Sequence, residues 1–176
     1  ERGYQFFAVD LRRHGRSLRP GQLANHTTDL TEYFEELDQA AAIAREAVGG
    51  KPLVVLGHST GGLVASLWAH ERRAEGGPDA LVLNSPWFDL NASWFDRVIA
   101  ARLAPDVPVR RLAPYYTRFL HRELGGEWDF NTEWKPFEPF PARAGFVRTV
   151  RLGHEAVKKG LAVARSSTSS TPRRAA

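Results

Sequence analysis

The stretch Gly57-His58-Ser59-Thr60-Gly61 has residue types and a spacing that suit nucleophilic chemistry. A serine hydroxyl serves as a nucleophile when it sits on a sharp, strained turn from strand to helix, so that Oγ projects from the sheet edge. Side chains two residues to either side would crowd such a turn, which is the expected reason for glycine at 57 and 61. The helix that follows would point N–H groups and a partial positive charge at the site. The Thr60 N–H is then the expected oxyanion-hole donor, with Gly57, His58 and Gly61 completing the elbow. An inert glycine-rich turn is the plain alternative. A Walker-type phosphate loop is excluded, because its spacing and its Lys are missing.

A serine hydroxyl also needs a base within hydrogen-bond reach. Of the six His, His58 precedes the serine and is expected to point away from it. His14 lies in a turn, and His26 and His70 read as solvated loop or helix positions. His121 and His154 fall in later segments and read as surface or packing residues. Asp89 lies just past the third expected strand. These residues make no recognisable constellation, so base and acid stay unassigned.

The elements that would position Ser59 follow from pattern. Tyr4 to Val9 is short, apolar and aromatic and reads as a buried strand. The polar loop from Asp10 to Ser17 follows. Asp29, with Glu32 three residues on, predicts a helix start. Leu30, Phe34, Leu37, Ala41, Ala44 and Val48 then mark one helical face, and Gly49-Gly50 ends it. Pro52 to Leu56 reads as a second strand, apolar on both faces as in a sheet covered by helices. A helix from Leu63 to Arg73 and a third strand from Ala80 to Leu83 complete a β-α-β-α-β pattern.

Beyond Asn84 the composition shifts. Residues 85–141 hold four of the five Trp and most of the Pro, and read as an aromatic-rich insertion laid over the sheet. Ala144 to Ala164 reads as a return helix, and 165–176 as a disordered tail of Arg, Ser, Thr, Pro and Ala. The expected division is 1–84 core, 85–141 cap, 142–164 return helix and 165–176 tail. The expected fold class is α/β, a partial doubly wound parallel sheet with a helical, aromatic-rich cap insertion.

The bulk numbers exclude several classes. At 176 residues with 43% hydrophobic content, the chain has the material for one ordinary core. Without Cys it has neither disulfides nor thiolate metal sites, which fits a reducing cytoplasm. No apolar run is long enough for a membrane span, and nothing reads as a signal peptide. Three residues of the +4 surplus sit at Arg165, Arg173 and Arg174, which leaves the body nearly neutral and argues against nucleic acid as a partner. The first residue is Glu, so further residues are expected ahead of it.

Phe7-Ala8-Val9-Asp10-Leu11-Arg12-Arg13-His14-Gly15-Arg16-Ser17, followed by Gly57-His58-Ser59-Thr60-Gly61-Gly62, resembles the lysophospholipase, monoacylglycerol-lipase and serine-aminopeptidase-like (S33) group of α/β-hydrolases. Asn84 to Asp89 and Gly126 to Asn131 are similar to the cap region of its bacterial members. The resemblance implies a cytoplasmic serine hydrolase that acts on carboxylic esters through an acyl-serine intermediate, without a cofactor or metal. Its partner would be a small-molecule ester or lipid. Ser59 matches the nucleophile, Thr60 the oxyanion donor, and the loop around Asp10 a structural turn braced by hydrogen bonds.

The family's first strands and second oxyanion loop are expected ahead of Glu1, and its acid and histidine after two later strands. Where a Val- and Leu-rich strand is expected after Leu161, the chain reads Arg165 to Thr171 instead. If those serines use TCN codons, a frame shifted by two bases encodes mostly apolar residues, so a frameshift is one expected origin of the tail. The alternative to an ester hydrolase is a catalytically inactive remnant or a non-catalytic small-molecule-binding module.

Overall fold

The computed structural model describes residues 3–89, 102–109, 120–133, 137 and 140–163. The Asp29 side chain accepts the Thr31 N–H at 2.9 Å and opens a single 3-10 turn, Leu30–Tyr33. Helix α1, Phe34–Val48, continues from it and ends at Gly49, whose φ of 62° is left-handed and suits glycine. The expected face is the one that packs: Leu30, Phe34, Ala41 and Ala44 are buried, with Leu37 against them.

Strand β1, Val54–His58, starts two residues later than expected and runs through Gly57 and His58 to the serine itself. Helix α2, Thr60–Glu71, begins one residue after β1 ends, so Ser59 is the entire connection. Strand β2, Ala80–Asn84, returns parallel to β1, with Val54 opposite Ala80 and His58 opposite Asn84. A parallel pair needs a crossover, and α2 supplies it. Helix α3, Ala144–Lys158, lies against α2 and the 3-10 turn. It is shorter than the expected 144–164, because the chain leaves it at Gly160, in the left-handed region at φ 97°.

Helix α2 is the centre of the core. Leu63, Val64, Ala65, Trp68 and Ala69 are all buried, as in a helix covered on nearly every side. Gly153 of α3 passes so close that a Cβ there would meet Leu30, Leu63 and Leu67 side chains at 3.0–3.2 Å. The Leu30 N–H donates to Thr149 Oγ1 at 3.2 Å, tying α3 to the start of α1. Asp38 ties α1 to α2, accepting from Trp68 Nε1 at 2.7 Å and from Arg72 Nε and Nη2 at 2.8–3.1 Å.

Two expectations about the sheet need correction. Tyr4 to Val9 has no strand neighbour among the described residues, and Phe6 is 89% exposed. A strand exists only by pairing its backbone, so apolar content without a neighbour leaves an extended, solvated segment. Among the described residues the sheet is also covered on one face only. Leu53, Val55 and Leu81 pack towards the helices, whereas Val54 and Leu56 on the other face are 54% and 66% exposed. No described element lies over that face. The described part of the expected cap folds locally around His121, with a bridge from His121 to Trp128 and another from Pro108 to Arg143. Residues 165–176 and most of 90–119 lie outside the described residues. No helix among the described residues is long and apolar enough to cross a membrane.

Candidate active site

Ser59 has φ 51° and ψ −121°, a conformation that residues with a side chain rarely adopt. Its peptide is held from several sides. Its N–H donates to Asn84 O at 3.2 Å, extending the β1–β2 ladder by one bond. Its carbonyl accepts from Gly62 N at 3.0 Å, Leu63 N at 3.4 Å and Trp87 N at 2.9 Å. Serine at a helix N-cap commonly accepts a first-turn N–H through its hydroxyl. Ser59 does not, and among the described residues nothing is bonded to its half-buried Oγ. Thr60 opens α2, so its N–H is one of the first-turn amides with no acceptor inside the helix. A hydroxyl released from capping can attack a carbonyl, and the amides beside it at the helix N-terminus can donate to the resulting oxyanion.

The glycines divide differently from the expectation. A Cβ on Gly57 would lie 2.7 Å from Gly62 Cα and 2.9 Å from Gly61 O, so the turn requires glycine there. A Cβ on Gly61 would meet nothing within 4 Å. Crowding is therefore not the reason for glycine at 61. The second tight position is Gly62, where a Cβ would come 2.8 Å from Pro86 Cβ. Ser85, next to Ser59 across the sheet edge, is also left-handed at φ 46°. The chain thus turns sharply at the C-terminal ends of both strands, the edge where open α/β sheets bind ligands.

None of the six histidines is hydrogen-bonded to Ser59 Oγ. His58 is exposed and its Nδ1 bonds to Asn84 O at 3.0 Å, beside the elbow. His14 bonds to Arg12 O at 2.9 Å and packs edge-on against Tyr33. His26 lends its carbonyl to Arg13. His70 meets the backbone of Ala162 through Nδ1. His121 is buried, accepts the Glu123 N–H and contacts Phe130 and Phe137 edge-on. His154 is buried with Nε2 2.8 Å from Trp87 O. Asp89 pairs with Lys158 at 3.3 Å.

The Asp10 loop is braced as expected. Asp10 accepts from Arg16 N and Nε, its carbonyl accepts from Ser17 Oγ, and Arg12 and Arg13 fasten the loop to Glu32, Glu35 and Glu36. The Arg16 hydrogen bond holds the Asp10 carboxyl below its ordinary range, with partial burial opposing it. Among the described residues no cluster of three or more His, Asp or Glu gathers to hold a metal. A groove lined by Phe34, Glu35, Asp38 and Arg72 sits at the other end of α2 from Ser59, roughly 18 Å along the helix, too far to serve it. Sequence reading singled out neither Gly62 nor Trp87 for the elbow. Both act through contacts between segments that no local pattern encodes.

Residues 1–126 match the family described as serine aminopeptidase, S33. A monoacylglycerol lipase of Mycolicibacterium smegmatis is 33% identical over 115 residues, which cover 62% of this chain and 39% of that protein. The crystal structure of the Paleococcus ferrophilus monoacylglycerol lipase is similar over 85% of this chain and 55% of its own, with a TM-score of 0.58 and 22% identity, a likeness of fold. The chain thus spans well under two thirds of either relative. With its parallel β1–α2–β2 unit and the elbow at its edge, the chain belongs to the serine aminopeptidase S33 family of α/β-hydrolases.

Proposed function

We propose that Ser59 is the nucleophile of a serine hydrolase acting on carboxylic esters of the lysophospholipid or acylglycerol type. The observation that carries this reading is the left-handed Ser59 between β1 and α2, whose hydroxyl does not cap the helix. Strain at one residue, held by four backbone hydrogen bonds, is the kind of outlier that marks a functional site. In the reaction, Ser59 Oγ attacks the ester carbonyl carbon while a base takes its proton. The oxyanion is met by the Thr60 N–H. Collapse breaks the ester C–O bond, and the departing alcohol recovers the proton. Water then adds to the acyl-Ser59 and releases the acid.

Residues 85–141 would form a cap whose aromatic and apolar side chains suit an acyl chain. A cytoplasmic location accords with the absence of Cys. The monoacylglycerol lipases among the relatives favour a lipid ester over a peptide. One observation favours the second reading, a non-catalytic binding module: no imidazole is bonded to Ser59 Oγ among the described residues.

Labelling with a fluorophosphonate separates the two. The expected result is stoichiometric modification, abolished in Ser59→Ala. A folded chain that stays unlabelled supports the catalytically inactive remnant or binding module instead.

A further inference from the structure

We propose that His154 is a positioning residue for Ser59, acting through the backbone of Trp87. This rests on the reading of Ser59 as the nucleophile. His154 lies in α3, 67 positions from Trp87 in sequence, and is only 3% exposed. Its Nε2 is 2.8 Å from the Trp87 carbonyl, and its ring stands edge-on to the indole with centroids 5.7 Å apart. A carbonyl only accepts, so Nε2 carries the proton and donates.

The same Trp87 donates its N–H to the Ser59 carbonyl at 2.9 Å. His154 and Ser59 thus grip Trp87 from its two backbone polar groups. One turn further along α3, Lys158 pairs with Asp89 at 3.3 Å, so the helix holds the loop after β2 at two points. Pro86 of that loop lies where a Gly62 Cβ would fall. The loop is therefore a wedge between α3 and the elbow.

The Gly62 and Leu63 bonds to the Ser59 carbonyl belong to α2 and would form in any helix that starts there. The Trp87 bond is the one supplied from another segment. It fixes the plane of the peptide after Ser59, and with it the direction of the strained residue. A donor at the Nε2 position of residue 154 is what keeps Trp87 in register. Glutamine can place an amide N–H near that position, asparagine near Nδ1 only, and leucine fills the volume without donating.

The test compares His154→Gln, His154→Asn and His154→Leu by two readouts, the second-order rate of fluorophosphonate labelling and the amide hydrogen exchange of residues 57–63 and 85–89. The expected result is labelling within about threefold of wild type in the Gln variant. The Asn and Leu variants should label at least tenfold more slowly, with faster exchange in both segments. Equal labelling and exchange in Leu and wild type overturn the proposal, as do equal losses in Gln and Leu, which would mean packing alone. If the Leu variant does not fold, Gln against Asn decides in the same sense. If wild type itself does not label, the nucleophile reading fails, and the exchange comparison still decides whether His154 orders the elbow.

Discussion

Strain at Ser59 costs about 1–3 kcal/mol and persists only because the surrounding contacts over-determine it. Those contacts leave room at some positions and none at others, so alanine at each glycine of the elbow has a different outcome. Gly57→Ala drives a Cβ into backbone at 2.7–2.9 Å and should destabilise by about 2 kcal/mol or more. Gly62→Ala meets Pro86 and should cost about 1–3 kcal/mol. Gly61→Ala enters open space in the first turn of α2 and should be neutral or stabilising by up to about 1 kcal/mol, since alanine is the better helix former. Urea unfolding midpoints check the series, and a Gly61→Ala loss as large as that of Gly57→Ala would contradict it. The sequence motif marks 57 and 61 alike. Only the approach of Gly57 to Gly62, and of Gly62 to Pro86, separates them, and that approach is tertiary.

At the scale of elements, α1 and α2 are joined through the Asp38 carboxylate. Hydrogen bonds from Arg72 hold its pKa below the ordinary carboxylate value, with burial opposing and the Trp68 N–H assisting. A carboxyl with a depressed folded pKa lends stability that is fully present above its unfolded value, near 4, and is lost as pH falls through the folded one. Acid should therefore loosen the α1–α2 joint below about pH 4. Asp38→Asn should be less stable than wild type at neutral pH, with a flatter pH dependence below 4; parallel curves of thermal midpoint against pH would refute this. The elements themselves were largely legible. Asp29, the spacing of the α1 face, Gly49 and the apolar runs at 53–56 and 80–83 are local signals, and each gave its element within a few residues. Tyr4 to Val9 was not, because an apolar run becomes a strand only beside another. The end of α3 was not legible, because the left-handed turn at Gly160 leaves no mark on the helical periodicity. His154 was unreadable as anything but packing, since its contact lies 67 residues away.

At the scale of the molecule, the described β1–β2 pair buries one face and presents Val54, Leu56 and Val82 on the other, with Tyr4 and Phe6 also exposed. Exposed apolar side chains beside strand edges that are unpaired among the described residues favour association. The chain should sediment as oligomers or aggregate at micromolar concentration, and Leu56→Thr with Val82→Thr should shift it towards single chains. A wild-type sample that sediments as one monomeric species would disprove this. The Ser59 peptide sits at the opposite extreme, bonded to β2, to α2 and to the loop after β2 at once. It cannot relax until β1, α2 and that loop separate together, which is the cooperative opening of the core. The strained geometry thus outlasts every fraying edge. In a denaturant series the fluorophosphonate reactivity proposed for Ser59 should survive local unfolding of the first ten residues and vanish only with the global transition, so labelling at Ser59 would double as a gauge of whether the core is intact.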